Sequence, residues 1–323
     1  VTQLLPGSPR EPGLPPGFTL PHGTGGDKDG GGEREAEVVR SPGRFLLATF
    51  REVLDAAGAG NARESFTDAQ YFRKEASELF NLGVMTLEER AAADWLFREV
   101  CKKLRAALGP EAGQQEAAGP LAAEHADVLA AIDHEAPYCH MNLSVFRSMV
   151  DSWAIGQIFP VMPLQRLHEH PSLRVRLADI TCDSDGRLER FIPSGRGSPN
   201  GSVGRTLPVH ARAPDELYLL GIFLVGVYQE SMGSAHNLYG ATAAAEVVLD
   251  AAAPSGWSLR GVRQGDTVSE VLGPSQHDAS EAAAAVREAL RRRAESGELS
   301  TDEADEVAAA YAASLQGLEP TRR

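Results

Sequence analysis

The sequence predicts an α+β protein in which a helical segment precedes a β-domain and a second helical segment follows it. From about residue 44 to 136, apolar residues recur at the spacing of amphipathic helices, and this spacing returns after residue 262. Between them, short runs rich in β-branched and aromatic residues alternate with turn-forming clusters, which is typical of strands. The predicted domains are therefore a helical-bundle insertion at 44–136, a β-domain at 137–262 and a C-terminal helical segment at 263–323.

The N-terminal residues 1–43 are rich in proline and glycine. Such a stretch buries too little apolar area to offset the entropy lost on ordering, so it is predicted to be disordered. Residues 26–33 (GDKDGGGE) have the glycines of a phosphate-binding loop but lack a preceding strand and a following helix. We interpret them as linker.

The helices are predicted from apolar stripes together with capping and stop signals. Thr86 and Glu89 form a capping box, as do Ser300 and Glu303. The predicted helices run from Phe45 to Gly58, from Thr67 to Leu82, from Thr86 to Leu108, near Ala122 to Asp133, from Asp278 to Glu295 and from Ser300 to Leu315.

The β-domain is predicted from four strand-like runs. Leu217 to Tyr228 (LYLLGIFLVGVY) is apolar on both faces, which favours a central buried strand. The others are Leu173 to Thr181 and a hairpin of Glu246 to Leu249 with Trp257 to Val262. Turn clusters between these runs predict an antiparallel sandwich or barrel.

Composition narrows the class of function. The net charge is −14 and the pI about 5.1, with acidic residues scattered among the basic ones, and such a diffuse acidic surface makes neither nucleic acid nor a membrane surface an expected partner. Three widely spaced cysteines in a long chain favour free thiols in a reducing compartment. No apolar run approaches the length of about 20 residues that a membrane span needs. A soluble cytoplasmic protein is expected, or a plastid one if the source is a plant or alga.

The segment Ile180 to Gly186 (ITCDSDG) is the main candidate site. It places Cys182 and Asp183 at the end of a predicted strand, where loops often carry chemistry. The alternative is a buried, inert cysteine followed by a plain tight turn, since Asp, Ser and Gly all form turns. Tyr228 and the pair His236–Asn237 are weaker candidates. No set of His, Cys and carboxylates has the spacing of a complete metal site, so no metal ligand is assigned.

Three longer blocks contain these residues: 142–164 (NLSVFRSMVDSWAIGQIFPVMPL), 177–186 (LADITCDSDG) and 221–240 (GIFLVGVYQESMGSAHNLYG). In their order, their spacing and the identity of their residues, they resemble the biosynthetic, pyridoxal-phosphate-dependent arginine decarboxylases of bacteria and plants. The resemblance covers roughly residues 65–317, which correspond to the second half of that family's chain. The sequence departs from the family pattern at Val150, where proline is usual, and at Ala154, where glycine is usual.

The resemblance implies an alanine-racemase-like fold and conversion of L-arginine to agmatine and CO2 in polyamine biosynthesis. Cys182 would protonate the carbon that loses CO2, which suits a thiol because its ordinary pKa of about 8.5 leaves a proton available at neutral pH. Asp183 and Asp185 would bind the substrate's cationic end, and Tyr228 would hydrogen-bond the phosphate of pyridoxal 5'-phosphate. Mg²⁺ is compatible with the family, although the sequence shows no site for it.

The resemblance also implies that the sequence lacks the first half of the family's chain. Family members begin with an (α/β)8 barrel that supplies the Schiff-base lysine and the phosphate loop. Of the four lysines, Lys28 lies in the segment predicted to be disordered, and Lys74, Lys102 and Lys103 lie on predicted solvated helix faces. The expected partners are a barrel half or a second subunit of a homo-oligomer. The alternatives are a non-catalytic regulator related to the decarboxylases and an inactive fragment.

Overall fold

The computed structural model describes residues 2–4, 13–21, 41–109, 120–192, 203–213, 216–226 and 228–317. It contains both helices and strands, and the predicted α+β class is confirmed. The helices are α1 (Pro42–Ala56), α2 (Ala62–Asn81), α3 (Leu87–Leu108), α4 (Pro120–Glu124), α5 (Ala126–His134), α6 (Val145–Ser148), α7 (Val150–Ile155), α8 (Tyr228–Met232), α9 (Val268–Leu272), α10 (Ala279–Glu295) and α11 (Thr301–Gln316). The strands are β1 (Thr2–Gln3), β2 (Tyr138–His140), β3 (Val161–Pro163), β4 (Leu173–Ala178), β5 (Arg187–Leu188), β6 (Leu207–Val209), β7 (Leu219–Ile222), β8 (Ala244–Leu249) and β9 (Trp257–Arg263).

Helices α1, α2, α3 and α5 pack around one apolar core. Phe50 and Phe72 stack there with ring centroids 5.5 Å apart. The capping box predicted at the start of α3 is confirmed, because Thr86 Oγ1 accepts from Glu89 N at 3.2 Å and Glu89 Oε2 accepts from Thr86 N at 2.9 Å. Each bond satisfies a backbone amide that the helix itself leaves without a partner.

The described strands form three small sheets, none of them closed into a barrel. The first has the order β1–β7–β3, the second is β2–β4–β5 with β6 also paired to β4, and the third is the hairpin β8–β9. The pairing is antiparallel everywhere except between β2 and β4, which are parallel. The sequence-based prediction of antiparallel pairing throughout is wrong for that pair. The first two sheets share the second apolar core.

The strand predicted over Leu217–Tyr228 is shorter than the apolar run that suggested it. Only β7 is extended and paired, and it is central in its sheet because β1 and β3 flank it. Beyond it, Leu224 is exposed and has a left-handed φ of +62°. After β7 the pairing continues with one backbone hydrogen bond, from Phe223 N to Pro160 O at 2.9 Å, and Pro160 has no amide hydrogen with which to extend the ladder.

The prediction that residues 1–43 are disordered is wrong for Thr2–Gln3 and for Leu4. These two strand residues pair with Leu219 and Leu220 of β7, and Leu4 is buried in the second core. Backbone pairing and apolar burial there offset the entropy of ordering. Residues 22–40, which include Lys28 and the glycine-rich stretch, lie outside the described residues.

The helical bundle and the second sheet meet at a polar cluster around Asp133 of α5. Its carboxylate is bound by Arg105 of α3 and accepts from Thr206 Oγ1 at 3.1 Å. Arg174 of β4 donates in turn to Thr206 Oγ1 at 2.8 Å. Nothing among the described helices is long and apolar enough to cross a membrane.

Candidate active site

The segment Ile180–Gly186 forms the loop that follows β4. Gly186 N donates to Asp183 O at 3.1 Å, which closes a four-residue turn. Asp185 N donates to Asp183 Oδ1 at 2.9 Å, so the Asp183 side chain also mimics a backbone turn. The turn predicted at this position is confirmed, and β4 ends at Ala178, earlier than the predicted Thr181.

Asp179 is hydrogen-bonded to both ends of this loop. Its Oδ1 accepts from Thr181 N and from Thr181 Oγ1, both at 2.8 Å, while its Oδ2 accepts from Val145 N at 2.8 Å. Its own amide donates to Gly186 O at 2.7 Å. Only 2% of Asp179 is exposed, and its buried side chain is hydrogen-bonded on both carboxylate oxygens, so the start of the loop is held firmly.

Gly186 is required by the close approach of Asp179. A Cβ on Gly186 would overlap the Asp179 carboxylate and would lie 2.7 Å from Thr181 Oγ1. Neither atom can withdraw without breaking the hydrogen bonds that hold the loop. The glycine therefore allows the turn to close against the buried carboxylate.

The structure brings two consecutive residues of the loop, Cys182 and Asp183, against a second loop that contains a 3-10 turn at His236–Leu238. Cys182 is exposed, and its Sγ accepts from Asn237 Nδ2 at 3.3 Å. Asp183 Oδ2 lies 3.6 Å from His236 Nε2, and both side chains are about one-third exposed. Asp185 is exposed on the same turn. The thiol and the adjacent carboxylate can therefore meet one ligand.

Tyr228 lies apart from the strand end at which it was predicted. It is the first residue of α8, and 68% of its surface is exposed. The next residue, Gln229, is buried and anchors α8 to α7: its Nε2 donates to Asp151 Oδ2 at 2.6 Å, and its Oε1 accepts from Asp151 N at 3.0 Å. The exposed side chain of Tyr228 therefore extends from a helix that is anchored to α7, and this helix precedes the segment that contains His236.

Sequence reasoning missed several residues that shape the site. Asp179 had a weak signal, since an Asp-x-Thr sequence can form a local side-chain turn. Tyr239, whose hydroxyl donates to Ile180 O at 2.9 Å, had none. Phe146 packs on the His236 ring with centroids 4.3 Å apart, and Trp153 packs on Phe146 at 5.2 Å.

The described lysines belong to the helical bundle. Lys74 and Lys102 form ion pairs with glutamates on their own helices, at 3.6 and 3.0 Å. Lys103 Nζ donates to the carbonyl oxygens of Leu54 and Asp55 at the end of α1. Within the described ranges, no three or more His, Cys, Asp and Glu side chains are grouped so that they could hold a metal ion.

The three cysteines are expected to react very differently with a thiol reagent. Burial raises the pKa of the Cys101 thiol to about 12, and Cys139 is buried in the second core. Cys182 is exposed. With iodoacetamide at neutral pH, peptide mass spectrometry should therefore find Cys182 modified first and the other two only after denaturant is added. Equal modification of all three in the native protein would contradict the site described.

Comparison with known proteins identifies relatives over most of the chain. Residues 44–119 match the arginine decarboxylase helical bundle domain. A biosynthetic arginine decarboxylase of Thermosynechococcus vestitus is 39% identical over 259 residues, covering 80% of this chain and 37% of the relative. One from Nostoc is 36% identical over 284 residues, covering 88% of this chain and 38% of the relative. The family resemblance of the three sequence blocks is thereby confirmed.

A solved structure shares the fold. The biosynthetic arginine decarboxylase SpeA from Campylobacter jejuni superposes with a TM-score of 0.59 over 85% of this chain, at 23% identity. Only 40% of that protein is covered. The chain thus spans about two fifths of the length of the relatives it matches.

Proposed function

We propose that this chain is the C-terminal part of a biosynthetic arginine decarboxylase and supplies its proton donor and substrate-binding residues. The whole enzyme converts L-arginine to agmatine and CO2, a step of polyamine biosynthesis. The observation that carries the proposal is the Cys182–Gly186 turn. It presents an exposed thiol and a neighbouring carboxylate to the same facing loop, within a sequence block that resembles the decarboxylases.

Asp183 is the residue proposed to bind the substrate's guanidinium group. Its Oδ1 is already fixed by the amide of Asp185, while Oδ2 is held beside His236 and remains partly open to solvent. A pre-oriented carboxylate can pair with both N–H groups of a guanidinium, and such bidentate pairs are among the strongest hydrogen-bonded contacts. Asp185, exposed two residues further on, adds a second negative charge at the same end of the site.

Cys182 is the residue proposed to donate the proton. When the bond between the α-carbon and the carboxylate breaks and CO2 leaves, the S–H proton replaces it on the same carbon. The thiolate then recovers a proton from water, which its exposure allows. The loop positions the two side chains. Because the chain turns between Asp183 and Gly186, Cys182 can reach the α-carbon of a substrate whose guanidinium group binds Asp183.

The residues present fit part of a pyridoxal 5'-phosphate site. When bound, this cofactor would supply the electron sink for the breaking bond. The hydroxyl of Tyr228, exposed on the anchored helix α8, is suited to donate to its phosphate. The described lysines occupy the helical bundle, so we propose that a lysine of the (α/β)8 barrel holds the cofactor. No residue is proposed as a ligand for Mg²⁺.

The finer architecture follows from the same proposal. Residues 44–136 form the helical insertion, 137–262 the β-domain and 263–323 the C-terminal helical segment. The small sheets would become part of a larger β-sandwich or barrel when strands from the rest of the protein join them. The expected partners are the barrel half of the enzyme or a second subunit of a homo-oligomer.

Reconstitution tests the proposed function. The chain, mixed with a separately produced barrel half from a related decarboxylase and pyridoxal phosphate, should form agmatine from arginine, and neither part alone should do so. Borohydride reduction followed by mass spectrometry should attach the cofactor to a barrel lysine and leave this chain unlabelled. Stoichiometric labelling of one lysine in this chain, or no agmatine from a stable complex, would contradict the proposal.

A further inference from the structure

The loop of residues 235–239 meets the Cys182 turn through three separate contacts. The side-chain hydroxyl of Tyr239 donates to the backbone oxygen of Ile180 at 2.9 Å and so links the two loops. Asn237 Nδ2 donates to Cys182 Sγ at 3.3 Å, and His236 Nε2 lies 3.6 Å from Asp183 Oδ2. Two consecutive residues of one loop therefore face two consecutive residues of the other.

This second loop is held in an uncommon conformation. Asn237 and Leu238 both have left-handed φ values, of +56° and +61°. Asparagine tolerates this region better than most residues, whereas leucine rarely adopts it. The loop keeps this shape because the His236 ring packs on Phe146 and Tyr239 is tied to Ile180. The contacts with Cys182 and Asp183 depend on that backbone.

We propose that Asn237 is a positioning residue for the Cys182 thiol and that His236 is a positioning residue for the Asp183 carboxylate. This inference rests on the proposed function and names residues that set up its proton transfer and substrate binding. Because Asn237 donates to Sγ, the sulfur is an acceptor on that side and its own S–H points elsewhere, available to the substrate. His236 Nε2 lies 3.6 Å from Oδ2, and the Asp185 amide donates to Oδ1.

The amide also stabilises the thiolate that proton donation leaves behind. Besides Cys182 itself, the charged and titratable groups of the two loops are Asp183, Asp185, His236 and Tyr239. The two carboxylates oppose a further negative charge on the sulfur, whereas a neutral donor beside the sulfur favours that charge. Removing that donor should lower the fraction of thiolate at a given pH.

Alkylation of Cys182 in this chain alone tests the role of Asn237. Asn237→Asp keeps the shape of the side chain but replaces the donor with an acceptor, and Asn237→Gly removes the side chain while still allowing a positive φ. At pH 7, iodoacetamide should modify Cys182 about three- to tenfold more slowly in both variants, with a larger effect in Asn237→Asp. The pH at which alkylation reaches half its maximal rate should rise in parallel.

Asn81→Asp, the same change at an exposed position at the end of α2, is the matched control and should leave the rate unchanged. Continued protection of Cys101 and Cys139 verifies that each variant is folded. A parental rate and pH profile in Asn237→Asp would overturn the assignment of Asn237.

Kinetics of the reconstituted enzyme complete the test. Asn237→Asp should lower kcat about tenfold or more with little change in KM, since it affects proton donation. His236→Ala should raise KM more than it lowers kcat, and His236→Gln, which retains a donor, should restore part of the loss. If Asn237→Asp and His236→Ala change kcat and KM to the same extent, the assigned roles are overturned. The two experiments can fail separately. If the Asn237 variants alter alkylation of Cys182 but the parental complex forms no agmatine, the contact between Asn237 and Cys182 is supported and the proposed decarboxylase function is refuted.

Discussion

Leu220→Asp is expected to unfold the β-domain. Leu220 is 0% exposed and lies in the middle of β7, paired with Thr2 of β1 on one side and Pro163 of β3 on the other. The substitution removes the apolar contacts of a buried leucine and places a carboxyl group among apolar neighbours. Together these effects should cost about 3–5 kcal/mol, a large part of the stability of an ordinary domain.

Leu224→Asp is the matched control. It makes the same chemical change four residues further along the same apolar run, where the side chain is 85% exposed. Its effect should stay within about 0.5 kcal/mol. Urea unfolding followed by circular dichroism measures both, and hydrogen exchange locates the loss in Leu220→Asp between residues 137 and 226. Equal unfolding midpoints for the two variants would show that β7 is wrongly placed.

The helices were largely predictable because their signals are local. The capping boxes at Thr86 and Ser300 start α3 and α11 as predicted, and Asp278 caps α10 by accepting from Ser280 N at 2.7 Å. A capping side chain, its amide and the apolar stripe that follows all lie within a few residues of each other. The sequence therefore contains everything needed to place the helix start.

Strand ends were less predictable because they depend on distant partners. The run from Leu217 to Tyr228 has no internal sign that pairing stops at Ile222. That limit is set by the start of β3, because Val161 pairs with Ile222 and the residue before it, Pro160, has no amide hydrogen to donate. The parallel pairing of β2 with β4 is likewise a property of chain topology, which periodicity does not reveal.

The candidate site likewise has one part that follows from local sequence and another that depends on distant contacts. The turn after Cys182 follows from its own residues, and its closing hydrogen bonds span three positions or fewer. The contacts of Cys182 and Asp183 with Asn237 and His236 join residues more than 50 positions apart. Sequence identified both segments as candidates but gave no reason to pair them. Only the fold, through the Tyr239–Ile180 hydrogen bond, does so.

The largest functional effects are expected from Cys182→Ser and Asp183→Asn in the reconstituted enzyme. A serine hydroxyl is a far weaker acid than a thiol, so Cys182→Ser should lower kcat about a hundredfold or more and leave KM nearly unchanged. Asp183→Asn retains an oxygen that can accept from Asp185 N, so the turn is preserved while the negative charge is lost. It should weaken arginine binding by about 2–5 kcal/mol, which appears mainly in KM.

Ser184→Ala, in the same turn, is the control for both variants and should behave like the parent. Steady-state rates of agmatine formation over a range of arginine concentrations separate kcat from KM for all of them. The separation is expected because the two side chains act at opposite ends of the substrate: one supplies a proton where CO2 leaves, and the other fixes the guanidinium. If Cys182→Ser and Asp183→Asn both retain parental constants, the segment is a tight turn without a role in catalysis, whatever its resemblance to the decarboxylases.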